Sequence, residues 1–436
     1  MSEMSLSLWV AAAIVVPLLA AGVQVGVVLA LAGMAGSVVM TGSWATAMAL
    51  PLLQSLDVSS SYTLMVIPLF VAMGAVAEKT GVTGDLFVAF YRWVGHLRGG
   101  IGVATIATCA GMSAITGSSM AVSASMAKVA LPELRRYGYD DKLSLGTIAM
   151  GGTLAIMIPP SITLVLYAIF AEQSVGQMLI AGVLPGFMIA FLYVVKIAIR
   201  CRIDPALGPA GPRFDWRARL VSAGLVLPFL CVVALVVAGI LFGIATPSES
   251  AAIGLALVMI IGALRRTLTV RIVLLAALEA VNVSAAIMLI VIGSMIFSNF
   301  IALNGVSDVL SAYVISLQLE PFILYLLIVA IYFVLGMFLE ATSILALTVP
   351  LFLPIVVATG WHPVWFGIIL VCLMELAAVT PPVGLNLFVM KATVPDVTLQ
   401  DIYRGAAPFW VMNVLAIFIL YLYPEIALVL PTAMLK

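Results

Sequence analysis

Two proline pairs set in long apolar sequence carry the most informative chemistry of this chain: Ile158-Pro159-Pro160-Ser161 and Thr380-Pro381-Pro382-Val383. Proline lacks a backbone N–H and breaks the i to i−4 ladder, so a pair inside a membrane-spanning helix splits it into two half-helices. Carbonyls freed at such a break can replace the water shell of a cation without burying another charge. A hydroxyl-bearing tip precedes each pair, Thr116-Gly117-Ser118-Ser119 in one case and Glu340-Ala341-Thr342-Ser343 in the other. One Na⁺ site is therefore expected from Thr116, Ser118 and Ser119 with carbonyls around Gly152, Ile158 and Pro159, and a second from Thr342 and Ser343 with Thr380, Val383 and Gly384. The half-helix N-termini after the prolines offer N–H groups and the positive end of a helix dipole, suited to a carboxylate. Ser161 and Asn386 stand where they can hydrogen-bond such a ligand. Ser and Gly at helix crossings are also ordinary packing residues in membrane bundles. Duplication of the tips beside paired prolines favours the binding role.

The proline pairs lie 222 residues apart, and the same step relates Gln24-Val25 to Thr246-Pro247, Pro132 to Pro354 and Gly138-Tyr139 to Gly360-Trp361. A one-residue slip then relates Gly182 to Gly405 and Pro185 to Pro408. This is an internal duplication. Interrupted apolar segments at corresponding places in two halves mark the binding site of a secondary transporter.

These sites need a membrane around them, and the composition supplies it. With 64% hydrophobic and 9% charged residues the chain is far from a soluble globule, which carries about 25% charged residues. It reads as an all-α polytopic membrane protein. A net charge of zero argues against nucleic-acid or polyanion binding. Met1 to Ser7 has no basic segment, so no cleavable signal peptide is expected. Cys109, Cys201, Cys231 and Cys372 share no metal or redox spacing and read as packing residues, as do most of the 22 methionines.

Apolar runs of spanning length give a map of the chain. Spans are expected near 8–22, 24–40 and 63–79, then a connector from Asp85 to Gly100, a re-entrant hairpin over about 101–134, a broken helix over about 143–172 and a closing span to about 199. The second half repeats the plan with spans near 220–241, 249–264 and 280–302, a connector from Asp308, a hairpin over about 321–357, a broken helix over about 364–393 and a last span to 423. The halves are thus 1–200 and 220–436, joined by a Pro-, Gly- and Arg-rich linker, 201–219. If the first hairpin opens toward the cytoplasm, alternation puts every basic residue inside except Lys436, in accord with the positive-inside rule. Five spans plus a hairpin in each half then turn the second repeat upside down, with hairpins entering from opposite sides.

Other polar residues carry less. Glu375 lies within a span, where a charge costs at least a few kcal/mol, and is expected either protonated or paired inside the bundle, with a functional and a structural role both open. Lys128 is expected to snorkel toward the cytoplasmic surface, and His96 and His362 to sit in loops.

Several stretches together bear a family resemblance: Thr116-Gly117-Ser118-Ser119; Pro132-Glu133-Leu134 with Gly138-Tyr139; Gly151-Gly152-Thr153-Leu154 with Ile158-Pro159-Pro160-Ser161-Ile162; and Thr380-Pro381-Pro382-Val383-Gly384-Leu385-Asn386-Leu387-Phe388. They resemble the large membrane subunit of TRAP (tripartite ATP-independent periplasmic) transporters, the DctM-like family, over nearly the whole chain. The resemblance implies a multi-pass inner-membrane protein, a Na⁺-coupled elevator-type importer of a small organic acid. Its partners would be a small four-helix membrane subunit and a periplasmic substrate-binding protein, with Na⁺ as coupling ion and no other cofactor. The chain departs from the family at Glu340, where relatives often have Asp, and at Glu375-Leu376-Ala377, where relatives often have a glycine.

A stand-alone divalent-anion/Na⁺ symporter of related architecture is the alternative within transporters. An intramembrane hydrolase is the alternative outside them, suggested by Gly111-Met112-Ser113-Ala114 and Tyr139-Asp140. It fails for want of a base: neither histidine is expected in the membrane core, and Asp140 has no Gly-x-Gly-Asp partner. No P-loop is present, so the chain does not hydrolyse ATP by that route.

Overall fold

A computed structural model describes residues 3–434; Lys436, expected outside, lies beyond them. The described chain is all-helical, and seven of its helices are long and apolar enough to cross a membrane. The duplication reappears in the element bounds. Val25–Thr41 corresponds to Pro247–Leu264, Gly100–Thr116 to Pro321–Gly336, and Ser119–Arg136 to Ala341–Ala358, each near the 222-residue step.

The map needs three corrections. Trp44–Ser60 is a helix where no element was expected, and it packs against Val25–Thr41 and Val270–Leu303. Its counterpart is the first part of Val270–Leu303, a 34-residue helix that begins well before the expected span at 280. Continuous in the second half, this element is interrupted in the first where the run Ser59-Ser60-Ser61 ends in an extended Ser61. Serine hydroxyls compete for the backbone bonds that a helix needs. The connectors at Asp85 and Asp308 are themselves helices, Val82–Val94 and Val306–Ser316. A last helix, Glu425–Met434, follows the final span and packs on Val175–Ala181.

The helices fall into two packed groups. One contains Glu3–Ala20, Val25–Thr41, Val66–Lys79 and the three long helices from Trp216 to Leu303. Small residues allow close crossing there: a Cβ on Gly33 would lie 2.9 Å from the Ile296 carbonyl oxygen. The other group holds the hairpins, the broken helices and the closing spans Val183–Ile203 and Leu399–Leu422. Within it the halves interlock. The return arm of the first hairpin packs on the second half-helix Leu385–Thr393, and that of the second hairpin on the first half-helix Ile162–Phe170.

Both broken helices part at the proline pairs. The first runs Asp141–Thr153, continues as a tight turn to Ile156 and restarts at Ile162; the second stops at Ala377 and restarts at Leu385. Pro159-Pro160 and Pro381-Pro382 are both cis.

Candidate functional site

The first hairpin turns at Gly117 (φ +62°), a left-handed conformation that costs glycine little. A Cβ there would lie 2.7 Å from the Pro160 carbonyl oxygen, so the tip rests directly on the first break. Ser118 caps the return arm, accepting from the Ala121 N–H at 3.4 Å. Ser119 reaches the other half of the chain, its hydroxyl donating to Asn386 Oδ1 at 3.2 Å. Thr116 donates back to the Met112 carbonyl at 3.1 Å. The hairpins expected over about 101–134 and 321–357 are each a pair of helices that turns beside the helix breaks, and the return arm Ala341–Ala358 is also long and apolar enough to span.

Both tips and both breaks open on one cavity of about 320 Å³. Four helix N-termini meet there: Ser119 and Ala121, Ile162 and Thr163, Ala341 and Thr342, and Leu385 and Asn386 all line it. Each N-terminus carries roughly half a positive charge, and those at Ala341 and Leu385 have no side-chain cap. Val66–Lys79 and Val270–Leu303 form the opposite wall, and Gly74 lets the first of these pass within reach of the tip, a Cβ there falling 2.7 Å from Thr116 Cα.

Of the residues singled out from the sequence, Thr116, Ser118, Ser119, Thr342 and Asn386 line the cavity. Asn386 is 1% exposed, and its Nδ2 has no hydrogen-bond partner among the described residues. Thr342 Oγ1 lies beside the Glu340 carboxylate but closes no hydrogen bond of normal geometry. The others stand behind this wall. Thr380 donates to the Leu376 carbonyl at 2.6 Å, and Gly152, Ile158, Pro159 and Ser343 are buried. Val383, before the left-handed Gly384 (φ +63°), has its carbonyl already accepting from the Tyr403 hydroxyl at 2.6 Å. Ser161 is turned away from the cavity: fully buried, it donates to the Ile156 carbonyl at 2.6 Å and accepts from the Leu164 N–H at 3.3 Å.

Two cavity residues escaped the sequence reading. Glu78 and Glu279 come from the wall helices. Lys79 pairs with Glu279 at 2.5 Å, and the Ser125 hydroxyl donates to Glu78 Oε1 at 2.5 Å, joining that wall to the first hairpin. The available signal was an acidic residue interrupting an apolar run, which by itself names no partner. Glu375 is fully buried outside the cavity lining, and neither carboxylate oxygen has a hydrogen-bond partner among the described residues, so of the two expected states, protonated or paired, pairing is not found. His362 caps a helix by accepting from the Val364 N–H at 3.2 Å, and Lys128 is exposed.

Comparison with known proteins settles the lineage. Residues 12–426 match the family described as the DctM component of the tripartite ATP-independent periplasmic transporters. The chain belongs to this family. It is a multi-pass permease subunit of the inner membrane, one component of a three-part transporter, and not an enzyme. Accordingly Ser113, of the hydrolase alternative, only donates to the Cys109 carbonyl of its own helix at 2.6 Å. This DctM-family chain is 34% identical over 377 residues to the C4-dicarboxylate TRAP transporter large permease protein DctM of Pseudomonas aeruginosa, covering 86% of this chain and 87% of that one. It is 27% identical over 415 residues to the sialic acid large permease SiaM of Vibrio cholerae, covering 95% and 96%. The solved structure of the Alcanivorax borkumensis YdaH transporter shares the fold, with a TM-score of 0.62 at 14% identity over 88% of this chain and 86% of that one.

Proposed function

We propose that this subunit imports a small organic acid by Na⁺-coupled alternating access, together with a small four-helix membrane subunit and a periplasmic substrate-binding protein. The convergence of both hairpin tips, both helix breaks and four helix N-termini on one cavity is the observation that carries this reading. N-termini favour an oxyanion, and hydroxyls with freed carbonyls favour Na⁺. Relatives are named for C4-dicarboxylate, sialic acid, ectoine and isethionate, molecules that share an acidic oxyanion group. The two halves, 1–200 and 220–436, act as inverted repeats. The first hairpin gates the cytoplasmic side and the second the outer side, and the hairpin-bearing group moves as an elevator against the other. Basic residues on one side of the assigned topology support that orientation.

Proteoliposomes containing this chain and its small subunit, with the binding protein outside, are expected to accumulate the organic acid only with Na⁺ supplied. Equal uptake in choline medium, or with a proton gradient alone, would refute the coupling.

A further inference from the structure

We propose that Ser119 couples the first hairpin's ion site to oxyanion recognition in the other half, by holding the Asn386 amide so that Nδ2 faces the cavity. The Ser119 hydroxyl meets Asn386 Oδ1 at 3.2 Å across a sequence separation of 267 residues. The Asn386 backbone N–H is already spent on the Ala378 carbonyl at 3.2 Å. Its Nδ2 is therefore the uncommitted donor, buried and unpartnered among the described residues, on a side chain that lines the cavity.

The two ends of an asparagine amide are nearly equal in shape, so hydrogen bonding alone decides which faces a site. A free serine hydroxyl can donate to Oδ1 or accept from Nδ2, but one whose oxygen ligates Na⁺ donates, which leaves Nδ2 for the ligand; the flipped amide would turn a carbonyl oxygen on the oxyanion and repel it. A buried donor with no acceptor is costly, and an acidic oxygen of the transported molecule is the acceptor that removes the cost. Ser119 can serve both ligands at once. Its oxygen retains lone pairs for Na⁺ while its proton stays on Asn386, and a hydroxyl that ligates a cation is a stronger donor. Na⁺ at the tip thereby firms the bond that orients Asn386, and an oxyanion on Nδ2 favours the same arrangement. The effect must be reciprocal. This inference rests on the function proposed above, since it needs Na⁺ at the tip and an organic acid in the cavity.

The test is a thermal-shift titration of the purified chain with its small subunit, using Na⁺ and four probes: succinate, N-acetylneuraminate, ectoine and isethionate. In the wild type, saturating Na⁺ is expected to tighten the best-binding probe by about tenfold, and that probe to tighten Na⁺ by the same factor. Ser119→Ala should bring the factor to within about twofold of unity while each ligand still binds alone, and Ser119→Thr should restore it. A cycle with Asn386→Ala should be non-additive. Should alanine prevent folding, Ser119→Cys, a weak donor of similar size, replaces it and is expected to lower the factor likewise. Undiminished coupling in the hydroxyl-free variant, equal loss in threonine, or additivity in the cycle overturns the assignment. Wild-type protein that binds none of the four probes in Na⁺ refutes the functional reading itself and this inference with it.

Discussion

The two helix breaks start from the same proline pair and end differently. At the first, Pro159, Pro160 and Ser161 are buried, and the Ser161 hydroxyl both satisfies the Ile156 carbonyl and caps the helix that restarts at Ile162. At the second, Val383 occupies the equivalent place and has no polar side-chain atom to offer. The helix restarts at Leu385 after the left-handed Gly384, with no side-chain cap. Pro381 and Pro382 are exposed, and support comes from outside the break, where the Tyr403 hydroxyl reaches the Val383 and Pro382 carbonyls at 2.6 and 3.3 Å. One break closes on itself; the other leaves its helix N-terminus open beside Asn386. Duplicated sequence has thus given unequal structures, with the first break bracing the hairpin tip and the second leaving an uncapped helix N-terminus on the cavity.

The largest test of that inequality is at the glycines. Gly117 and Gly384 share a left-handed φ, so alanine at either carries roughly 1–2 kcal/mol of backbone strain. Only at Gly117 does the added Cβ also collide with backbone, 2.7 Å from the Pro160 oxygen; at Gly384 the nearest atoms belong to the Tyr403 ring and hydroxyl at 3.2 Å. Gly117→Ala is expected to abolish Na⁺-driven uptake, and Gly384→Ala to slow it several-fold, as measured in proteoliposomes. Equal loss at both would mean that the two tips and breaks are mechanically equivalent.

A smaller effect should separate the two tips. Ser118 accepts a backbone hydrogen bond as a helix cap, whereas Thr342 Oγ1 closes none of normal geometry. Ser118→Ala should therefore lower stability by about 1 kcal/mol, and Thr342→Ala by much less. Both substitutions should raise the Na⁺ concentration for half-maximal uptake, because each removes one hydroxyl ligand. Unchanged Na⁺ dependence in both variants would assign the hydroxyls to packing.

What could be read in the sequence follows from what proline and glycine declare locally. Each states a backbone geometry by its own chemistry, so the breaks at 159–160 and 381–382, the tip at Gly117 and the repeat register were all legible without contacts. Ser161 and Asn386 looked equivalent because both follow a proline pair closely; only packing turns one inward and the other onto the cavity. Glu78, Glu279, Ser125 and Tyr403 act through partners far along the chain, and no local pattern names such a partner. Trp44–Ser60 was hidden by Pro51, Asp57 and its serine run, which lower its apolar signal, and Glu425–Met434 by Pro424 and Pro431.

The weakest asymmetry lies at the base of the first hairpin and sharpens the comparison from outside the membrane. Arg135 holds Asp141 through two bonds of 2.9 Å and Asp396 through one of 2.6 Å, tying the hairpin to the loop after the second broken helix. The equivalent place in the second hairpin is Val357, which can form no such pair. The hydrogen bond from Arg135 holds the Asp396 carboxyl below the usual aspartate range. A carboxyl whose pKa is depressed on folding contributes stability above its unfolded value, near 3.9, and loses it as pH falls through the folded one. Asp396→Asn should accordingly lower the thermal midpoint slightly and by the same amount at pH 6 and pH 8, with the difference from wild type beginning to shrink below about pH 4 and vanishing only once pH falls below the depressed folded value. Exposed pairs are screened, so about 0.5 M salt should shrink it further. A loss as large as that of Gly117→Ala, or one insensitive to salt, would make this clamp rather than the contact of tip with break the feature that holds the first hairpin in place.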